Sequence, residues 1–196
     1  MTAPPPLVVL TDGEATARAG HDLREVLASA VDGGLRAVVV RERHLAPALR
    51  LALVRFVEDL LGPLGGLVMV ATPPLEDHHN VHLTASSPVP RAKPLVMGRS
   101  CHDGGELARA AAEGCDYATL SPIFPTTSKA GYGPALGTGP LARPPLPVYA
   151  LGGVTPANAP ACLAAGASGV AVMGAVMRAG DPATVVSSVL SAVGAS

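Results

Sequence analysis

The sequence is poor in aromatic and charged residues. Aromatic residues make up 3% of the 196 residues, tryptophan is absent, and charged residues make up 15% with a formal net charge of -1. Binding to nucleic acid or to an anionic membrane usually needs a basic face, and single strands also need stacking aromatics. The composition therefore argues against both partner classes, although a local basic pocket is compatible with it. It predicts a core of valine, leucine and alanine.

Cysteine is scarce as well. Cys101, Cys115 and Cys162 are too few and too scattered for a disulfide framework, and the Cys101–His102 pair has no second ligand pair at zinc spacing.

No stretch reaches the roughly 18 uninterrupted apolar residues of a membrane span. The first apolar run lacks the basic segment that precedes it in a secretory signal. We therefore expect a cytoplasmic protein with no membrane partner and no bound structural metal.

The sequence does contain eight short apolar segments rich in β-branched residues. They lie at 7–11, 35–41, 66–71, 80–84, 94–98, 116–121, 147–153 and 168–174. Most are typical of strands buried on both faces, as in a parallel sheet covered by helices. Helical patterns lie between or after them, at 22–34, 45–62, 103–114, 155–167 and 181–193. Thr155 and Asp181, each followed by a proline, are the predicted N-caps of the last two.

This alternation of strands and helices predicts an α/β fold with a parallel sheet. Eight strands favour a closed (β/α)8 TIM barrel that takes up residues 1–196 as a single domain. The doubly wound sheet is the main alternative, but the turn TDGEATARAG after the first strand lacks its glycine spacing. The connections TPPLEDHH and ASSPVPRAK are too short for full helices. We therefore expect shortened connections around strands 3–5.

Glycines stand at the ends of the last two predicted strands. Gly152 and Gly153 end the seventh segment, and Gly174 ends the eighth. In such barrels the chemistry lies at the C-terminal ends of the strands, and phosphate often binds near strands 7 and 8. Glycine lets an anion approach backbone N–H groups where a helix begins. A tight turn is the alternative, but the coincidence of two glycine sites with these strands favours a phosphate site.

Two arginines follow the second strand. Because side chains alternate along a strand, Arg41 and Arg43 should point to one side, where two guanidiniums could clamp a phosphate. The alternative is a solvated loop in which an arginine pairs with Glu42.

A cluster of hydroxyls and one lysine follows the sixth strand. Thr126, Ser128 and Lys129 lie in the loop SPIFPTTSKAGYGPALG, over the expected barrel mouth. Such groups suit a pyrophosphate, yet threonine, serine, proline and glycine are also ordinary turn residues. Walker-type spacing is absent.

Several segments together carry a resemblance to a known family. They are TDG after strand 1, VVVRER at strand 2, VHL at strand 4, and above all DYATLSPIFPTTSK and GGV…GVAVMGAV. Over nearly the whole chain the sequence resembles thiamine phosphate synthase and its sister, the thiazole tautomerase. The resemblance implies a (β/α)8 barrel enzyme of thiamin biosynthesis. It would join hydroxymethylpyrimidine pyrophosphate to thiazole phosphate with Mg²⁺ and release pyrophosphate, a transferase reaction.

The same resemblance implies a set of site residues around the leaving pyrophosphate and the thiazole phosphate. The catalytic residues would be Arg41, Ser100 and Lys129. The substrate-binding residues would be Arg43, Thr126, Ser128, Gly152, Gly153 and Gly174.

The sequence departs from the family at positions that recognise the pyrimidine and bind the metal. Val39 replaces a glutamine, Ala71 and Thr72 lie where an Asn-Asp pair is expected, and Ser87 replaces an aspartate. Hydroxyls are poor replacements for carboxylates around a hard dication. No metal ligand is assigned for this reason. Unusual ligands for a synthase metal would be Asp12, Glu76, Asp77 or Asp103.

Two further functions stay open. The first is a metal-free isomerase of thiazole phosphate, like the tautomerase, which needs a proton shuttle that His82 or His102 could supply. Pro122 stands where the tautomerase has its histidine. The second is a non-catalytic protein that binds a phosphorylated ligand. In every case the expected partners are small phosphorylated molecules, and a homo-oligomer is compatible with the sequence.

Overall fold

The computed structural model describes residues 3–75, 79–126 and 134–194. Eight parallel strands form a closed barrel in chain order, with the first strand hydrogen-bonded to the eighth. The strands are β1 Leu7–Leu10, β2 Ala37–Val40, β3 Leu67–Ala71, β4 Asn80–Leu83, β5 Val96–Cys101, β6 Tyr117–Leu120, β7 Val148–Leu151 and β8 Gly169–Val172. The (β/α)8 barrel expected from the sequence is confirmed.

Helices cover the outside of the barrel. Within the described ranges they are α1 Gly13–Arg18, α2 Leu23–Asp32, α3 Pro47–Leu61, α4 Gly104–Ala112, α5 Ala159–Ala164, α6 Gly174–Met177 and α7 Pro182–Ala192. Short 3-10 turns lie at Gly62–Leu64 and Gly139–Leu141. None of these helices combines the length and the hydropathy that crossing a membrane would require, within the described part of the chain.

The predicted start of α5 is wrong. The helix begins at Ala159 with Asn158 as its N-cap residue, not at Thr155. Asn158 Oδ1 accepts a hydrogen bond from the Thr155 backbone N–H at 2.8 Å, and its Nδ2 donates to the Gly153 carbonyl at 3.0 Å. These bonds fold residues 155–158 into a turn, so the helix starts one turn later than its proline suggests. The Asp181 cap is confirmed, since its Oδ1 accepts from the Thr184 N–H at 3.0 Å.

The barrel is shortened around β4, as expected. The described residues of the β3–β4 and β4–β5 connections contain no helix. A buried guanidinium supports this side instead. Arg99 on β5 is 1% exposed, donates to the carbonyls of Thr84, Ala85 and Ser87, and lies 2.5 Å from Glu113 after α4. The Arg99 guanidinium therefore holds the β4–β5 loop in place on a side of the barrel where the described residues of that loop form no helix.

Side chains alternate between the barrel interior and the helices. The interior cluster includes Val8, Leu10, Val39 and Met69, together with two of the three tyrosines, Tyr117 and Tyr149. The two tyrosine rings stand edge to face with centroids 5.6 Å apart. A Cβ on Gly98 would lie 2.2 Å from the Tyr117 ring, so only glycine leaves room for it. The interior is therefore not purely aliphatic, contrary to the expectation from composition.

Candidate active site

A cavity of about 760 Å³ opens where the barrel strands end. Its walls include seven of the nine predicted site residues, Arg41, Arg43, Ser100, Thr126, Gly152, Gly153 and Gly174. The other two, Ser128 and Lys129, lie outside the described residues. Residues that are far apart in the chain thus meet at one end of the barrel, because parallel strands all end on the same face.

The arginines after β2 point into the cavity. Alternation continues past the strand, so Arg41 and Arg43 line the cavity while Glu42 is buried on the opposite side. Glu42 Oε1 accepts from the Gly13 N–H at 3.0 Å, and its Oε2 lies 3.8 Å from His44 Nδ1. Among the described residues Glu42 forms no ion pair with an arginine, so that part of the alternative is wrong, while the loop itself is solvated at Arg43 and His44.

The environment of Arg41 favours an anionic ligand. Burial, and then the charge of Arg43, lower the pKa of its guanidinium, while Asp12 and Glu42 act in the opposite direction. A guanidinium still stays protonated at neutral pH. Arg41 is therefore a cation that has lost part of its hydration, and an incoming anion can replace that hydration.

His82 and Ser100 form a hydrogen-bonded pair in the cavity wall. His82 on β4 is 3% exposed, with Nε2 2.9 Å from Ser100 Oγ and Nδ1 2.8 Å from Tyr117 Oη. Burial, followed by the charges of Arg41 and Arg99, lowers the pKa of His82 to about 3. The imidazole is therefore neutral near pH 7. Burial also raises the pKa of Tyr117 well above its usual value, so its hydroxyl keeps its proton.

The glycines after β7 have a structural reason to be glycine. Gly152 and Gly153 have φ values of +93° and +64°, which side chains disfavour, and a Cβ on Gly153 would lie 2.5 Å from the Pro125 carbonyl oxygen. The tight-turn interpretation is therefore correct for their backbone. Both also line the cavity, so the turn leaves their peptide groups facing it.

Gly174 differs from that pair. A Cβ there would lie 2.2 Å from Nη1 of Arg178, whose guanidinium lies over Gly174 and lines the cavity. Sequence reasoning missed Arg178. Its spacing of four residues from Gly174 in a helical segment was the available signal.

The comparisons with known proteins agree with this geometry. A family model described as thiamine monophosphate synthase matches residues 7–176. The chain belongs to the thiamine monophosphate synthase family. A thiamine-phosphate synthase of Methanoculleus marisnigri is 34% identical over 189 residues, 89% of each chain. A protein of Geobacter sulfurreducens, provisionally named a thiamine-phosphate synthase, is 36% identical over 182 residues, 83% of each chain.

A solved structure extends the agreement to the fold. Thiamine phosphate pyrophosphorylase from Pyrococcus furiosus matches with a TM-score of 0.81 and 25% identity, over 96% of this chain and 95% of that one. The resemblance inferred from the sequence motifs is confirmed, and it places the chain in thiamin biosynthesis.

The Mg²⁺ of the thiamine monophosphate synthase family does not fit the described residues. Thr72, Thr84 and Ser87, at and near the expected carboxylate positions, bond to one another instead. Thr72 Oγ1 lies 2.8 Å from Ser87 Oγ, and Thr84 Oγ1 lies 2.6 Å from it. Each of these hydroxyls is already hydrogen-bonded, and neither Thr72 nor Ser87 lines the cavity. The three form a closed hydroxyl cluster rather than a dication site.

Nearby carboxylates do not replace the missing metal ligands. Among the described residues that line the cavity, Asp12 alone carries a carboxylate, and its Oδ1 caps α1 by accepting from the Ala15 N–H at 2.9 Å. Asp103 similarly caps α4, and Glu76 and Asp77 lie outside the described residues. Within the described ranges no group of three or more potential ligands could hold a metal.

The two candidate proton shuttles differ in their surroundings. With a pKa of about 3, His82 is a weak base at neutral pH and holds no proton to donate as an imidazolium. His102 lines the cavity, has a side chain 28% exposed, and places Nδ1 3.1 Å from Glu106 Oε2. A histidine oriented by a carboxylate suits proton transfer, so His102 is the better candidate.

Proposed function

We propose that the chain is a thiamine-phosphate synthase that couples hydroxymethylpyrimidine pyrophosphate to thiazole phosphate and releases pyrophosphate. The observation that carries the proposal is the charge of the cavity. Arg41, Arg43 and Arg178 line it, against the single carboxylate of Asp12 among the described residues. Both substrates are anions, and so is the leaving group. We also propose that residues 1–196 act as one barrel domain in the cytoplasm.

The proposed reaction needs charge stabilisation rather than proton transfer. The bond between the pyrimidine methylene carbon and the pyrophosphate oxygen breaks, and its electron pair leaves with the pyrophosphate. The lone pair of the thiazole nitrogen then forms the new C–N bond to the methylene cation. The barrier falls when cations stabilise the charge that grows on the leaving oxygen. We assign this role to Arg41 and Arg43, which stand together at the end of β2.

Hydroxyl groups complete the proposed pyrophosphate site. If the proton of neutral His82 is on Nε2, it donates to Ser100 Oγ, and the Ser100 hydroxyl is free to donate into the cavity. Tyr117 Oη lies 2.8 Å from Nδ1 and 2.9 Å from Met69 Sδ, and because an imidazole nitrogen accepts a hydrogen bond better than a thioether sulfur, we assign the tautomer in which Tyr117 donates to Nδ1. Thr126 lines the same cavity. We assign Ser128 and Lys129 to the pyrophosphate from the sequence alone.

Cations of the protein carry the proposed chemistry, and no step is assigned to Mg²⁺. The described residues offer hydroxyls where the family's metal would need carboxylates, so a metal held by this protein does not fit them. We place the thiazole phosphate at Gly153 and Gly174, following the barrel rule for strands 7 and 8.

The direct test is to incubate the purified protein with both substrates, with and without added Mg²⁺. Thiamin phosphate and pyrophosphate should form in equal amounts, and Arg41→Ala should abolish most of the activity. Thiazole phosphate binding would be measured in parallel by calorimetry. A wild-type protein that binds thiazole phosphate but forms no product under any metal condition would rule out the synthase.

A metal-free thiazole phosphate isomerase is the second candidate, and the His102–Glu106 pair in the cavity favours it. Loss of deuterium from labelled thiazole phosphate into water would be followed by NMR, using wild type and His102→Gln. Exchange that depends on His102, without coupling product, would identify the isomerase. Absence of both exchange and coupling, with binding retained, would leave a ligand-binding protein.

A further inference from the structure

Among the described residues, Arg178 lacks the carboxylate or carbonyl partner that several arginines of the chain have. Arg99 and Arg109 form ion pairs with Glu113, and Arg36 and Arg50 donate to backbone carbonyls. In the described part of the chain, no carboxylate or carbonyl forms an ion pair or hydrogen bond with Arg178. Its guanidinium instead lies over Gly174 in the cavity wall. A cation without a protein partner, facing a cavity, is available for an anionic ligand.

The absence of a side chain at Gly174 makes this position of Arg178 possible. The three atoms nearest to a Cβ built on Gly174 are Nη1, Nη2 and Cζ of Arg178, at 2.2, 2.6 and 2.7 Å. Any larger residue would occupy the space of the guanidinium. Unlike Gly152 and Gly153, Gly174 does not have a positive φ, so its backbone does not require glycine. Gly174 thus leaves room for the guanidinium of the exposed Arg178 to lie against the backbone at this point.

The position of Arg178 indicates which anion it contacts. Arg178 follows β8, beside the Gly152–Gly153 turn after β7 in the same cavity wall. The loops after strands 7 and 8 are where barrels of this kind often bind phosphate. Arg41 and Arg43 follow β2, on the other side of β1. Arg41 Nη1 also contacts Met173 Sδ, beside Gly174, so the arginines form one continuous wall in which Arg178 is the member at the loops after β7 and β8.

We propose that Arg178 binds the phosphate group of the acceptor substrate and sets the preference for a phosphorylated over an unphosphorylated acceptor. The identity of that acceptor as thiazole phosphate rests on the proposed function. The phosphate contact itself rests on the geometry at Gly174. A guanidinium can donate two parallel hydrogen bonds to phosphate oxygens, which a lysine cannot reproduce.

The test compares binding of thiazole phosphate and of the unphosphorylated thiazole alcohol by calorimetry. Arg178→Ala should weaken thiazole phosphate binding about 10- to 100-fold, because one charge-assisted contact is lost. Binding of the alcohol should not change, and Arg178→Lys should fall between wild type and the alanine variant. Arg55→Ala, which removes an exposed arginine of α3, is the matched control and should bind both ligands like wild type.

A double-mutant cycle tests the role of Gly174. Gly174→Ala should displace the guanidinium and weaken phosphate binding, with no further loss when added to Arg178→Ala. If the two losses add in full, Gly174 acts through its own contact with the phosphate and not through Arg178, and the proposed coupling between the two residues is wrong. Equal loss of phosphate and alcohol binding in Arg178→Ala would also overturn the proposal.

Binding does not require turnover, so the two proposals fail separately. A protein that makes no thiamin phosphate, but loses phosphate-specific binding in Arg178→Ala, disproves only the synthase. An active synthase whose Arg178→Ala variant binds thiazole phosphate normally disproves only the Arg178 contact. In the active enzyme, the variant should raise KM for thiazole phosphate and leave KM for the pyrimidine substrate unchanged.

Discussion

Replacing His82 with glutamine should remove a pH-dependent part of the stability of the barrel. His82 is buried between Tyr117 and Ser100, and its pKa falls from the ordinary value of 6.5 to about 3 in the folded protein. Between these two values the unfolded chain binds a proton that the folded protein does not. The free energy of unfolding therefore decreases as the pH falls, by about 1.4 kcal/mol per pH unit from this residue. Above about pH 6.5 its contribution is constant.

The titration of His82 and the hydrogen bonds lost in the variant together determine the pH at which wild type and His82→Gln are equally stable. When the pH is lowered from 8 to 5, protonation of His82 in the unfolded chain should decrease the free energy of unfolding of the wild type by roughly 2 kcal/mol. Glutamine does not titrate, but it loses the two hydrogen bonds of the imidazole, worth about 1 kcal/mol each. At pH 8 the variant should therefore be less stable by roughly 2 kcal/mol. The two effects oppose each other, so the difference should vanish near pH 5 and reverse below it.

Urea unfolding followed by circular dichroism, at half-unit steps from pH 8 to pH 4.5, measures the difference. Carboxylates titrate in both proteins and cancel when the curves are subtracted. His79→Gln, which removes an exposed histidine, should follow wild type over the whole range. A wild-type minus His82→Gln difference that stays constant with pH would show that His82 accepts its proton within the folded state. The structural reasoning for a neutral imidazole would then be refuted.

Three further predictions concern the arginines and the serine. Arg99→Met should cost about 3 kcal/mol in urea unfolding, because three backbone carbonyls of the β4–β5 loop lose their buried donor. The exposed Arg18→Met should change little, and equal effects would contradict the assigned role. Arg41→Ala should lower kcat of coupling about 100- to 1000-fold, and Arg41→Lys should recover part of it; unchanged kcat would remove Arg41 from the leaving-group site. Ser100→Ala should lower kcat and leave KM for thiazole phosphate unchanged in steady-state kinetics; a rise in that KM alone would move Ser100 to the acceptor site.

The architecture could be predicted because its signals are local. Eight runs of β-branched residues with helices between them leave few alternatives to a barrel. The direction of Arg41 and Arg43 follows from the period of two along a strand, which continues beyond β2. The shortened connections follow from counting residues. These features depend on spacing within the chain, so the sequence contains them.

The features that were missed depend on tertiary contacts or on very short elements. α1 has six residues, too few for its pattern to be distinguished from a turn, although Asp12 and Glu14 are typical of a helix start. α5 starts late because Asn158 bonds to the backbone of Gly153 and Thr155, which a Thr-Pro pattern does not reveal. The His82–Ser100 pair requires the register of β4 and β5. Arg178 is not among the predicted site residues because its position over Gly174 depends on the fold.

The order of the strands places the cavity arginines and the His82–Ser100 pair on opposite sides of the cavity. β8, β1 and β2 are neighbours, so Arg178 and the Arg41–Arg43 pair stand on one arc. β4 to β6 form the opposite arc, with the neutral His82 and the hydroxyl of Ser100. In the proposed reaction, negative charge grows on the pyrophosphate and positive charge on the pyrimidine methylene. Cations suit the first, and a wall in which the imidazole is neutral suits the second. A protonated His82 would place a cation beside the forming carbocation, so the burial that keeps this imidazole neutral also protects the proposed transition state.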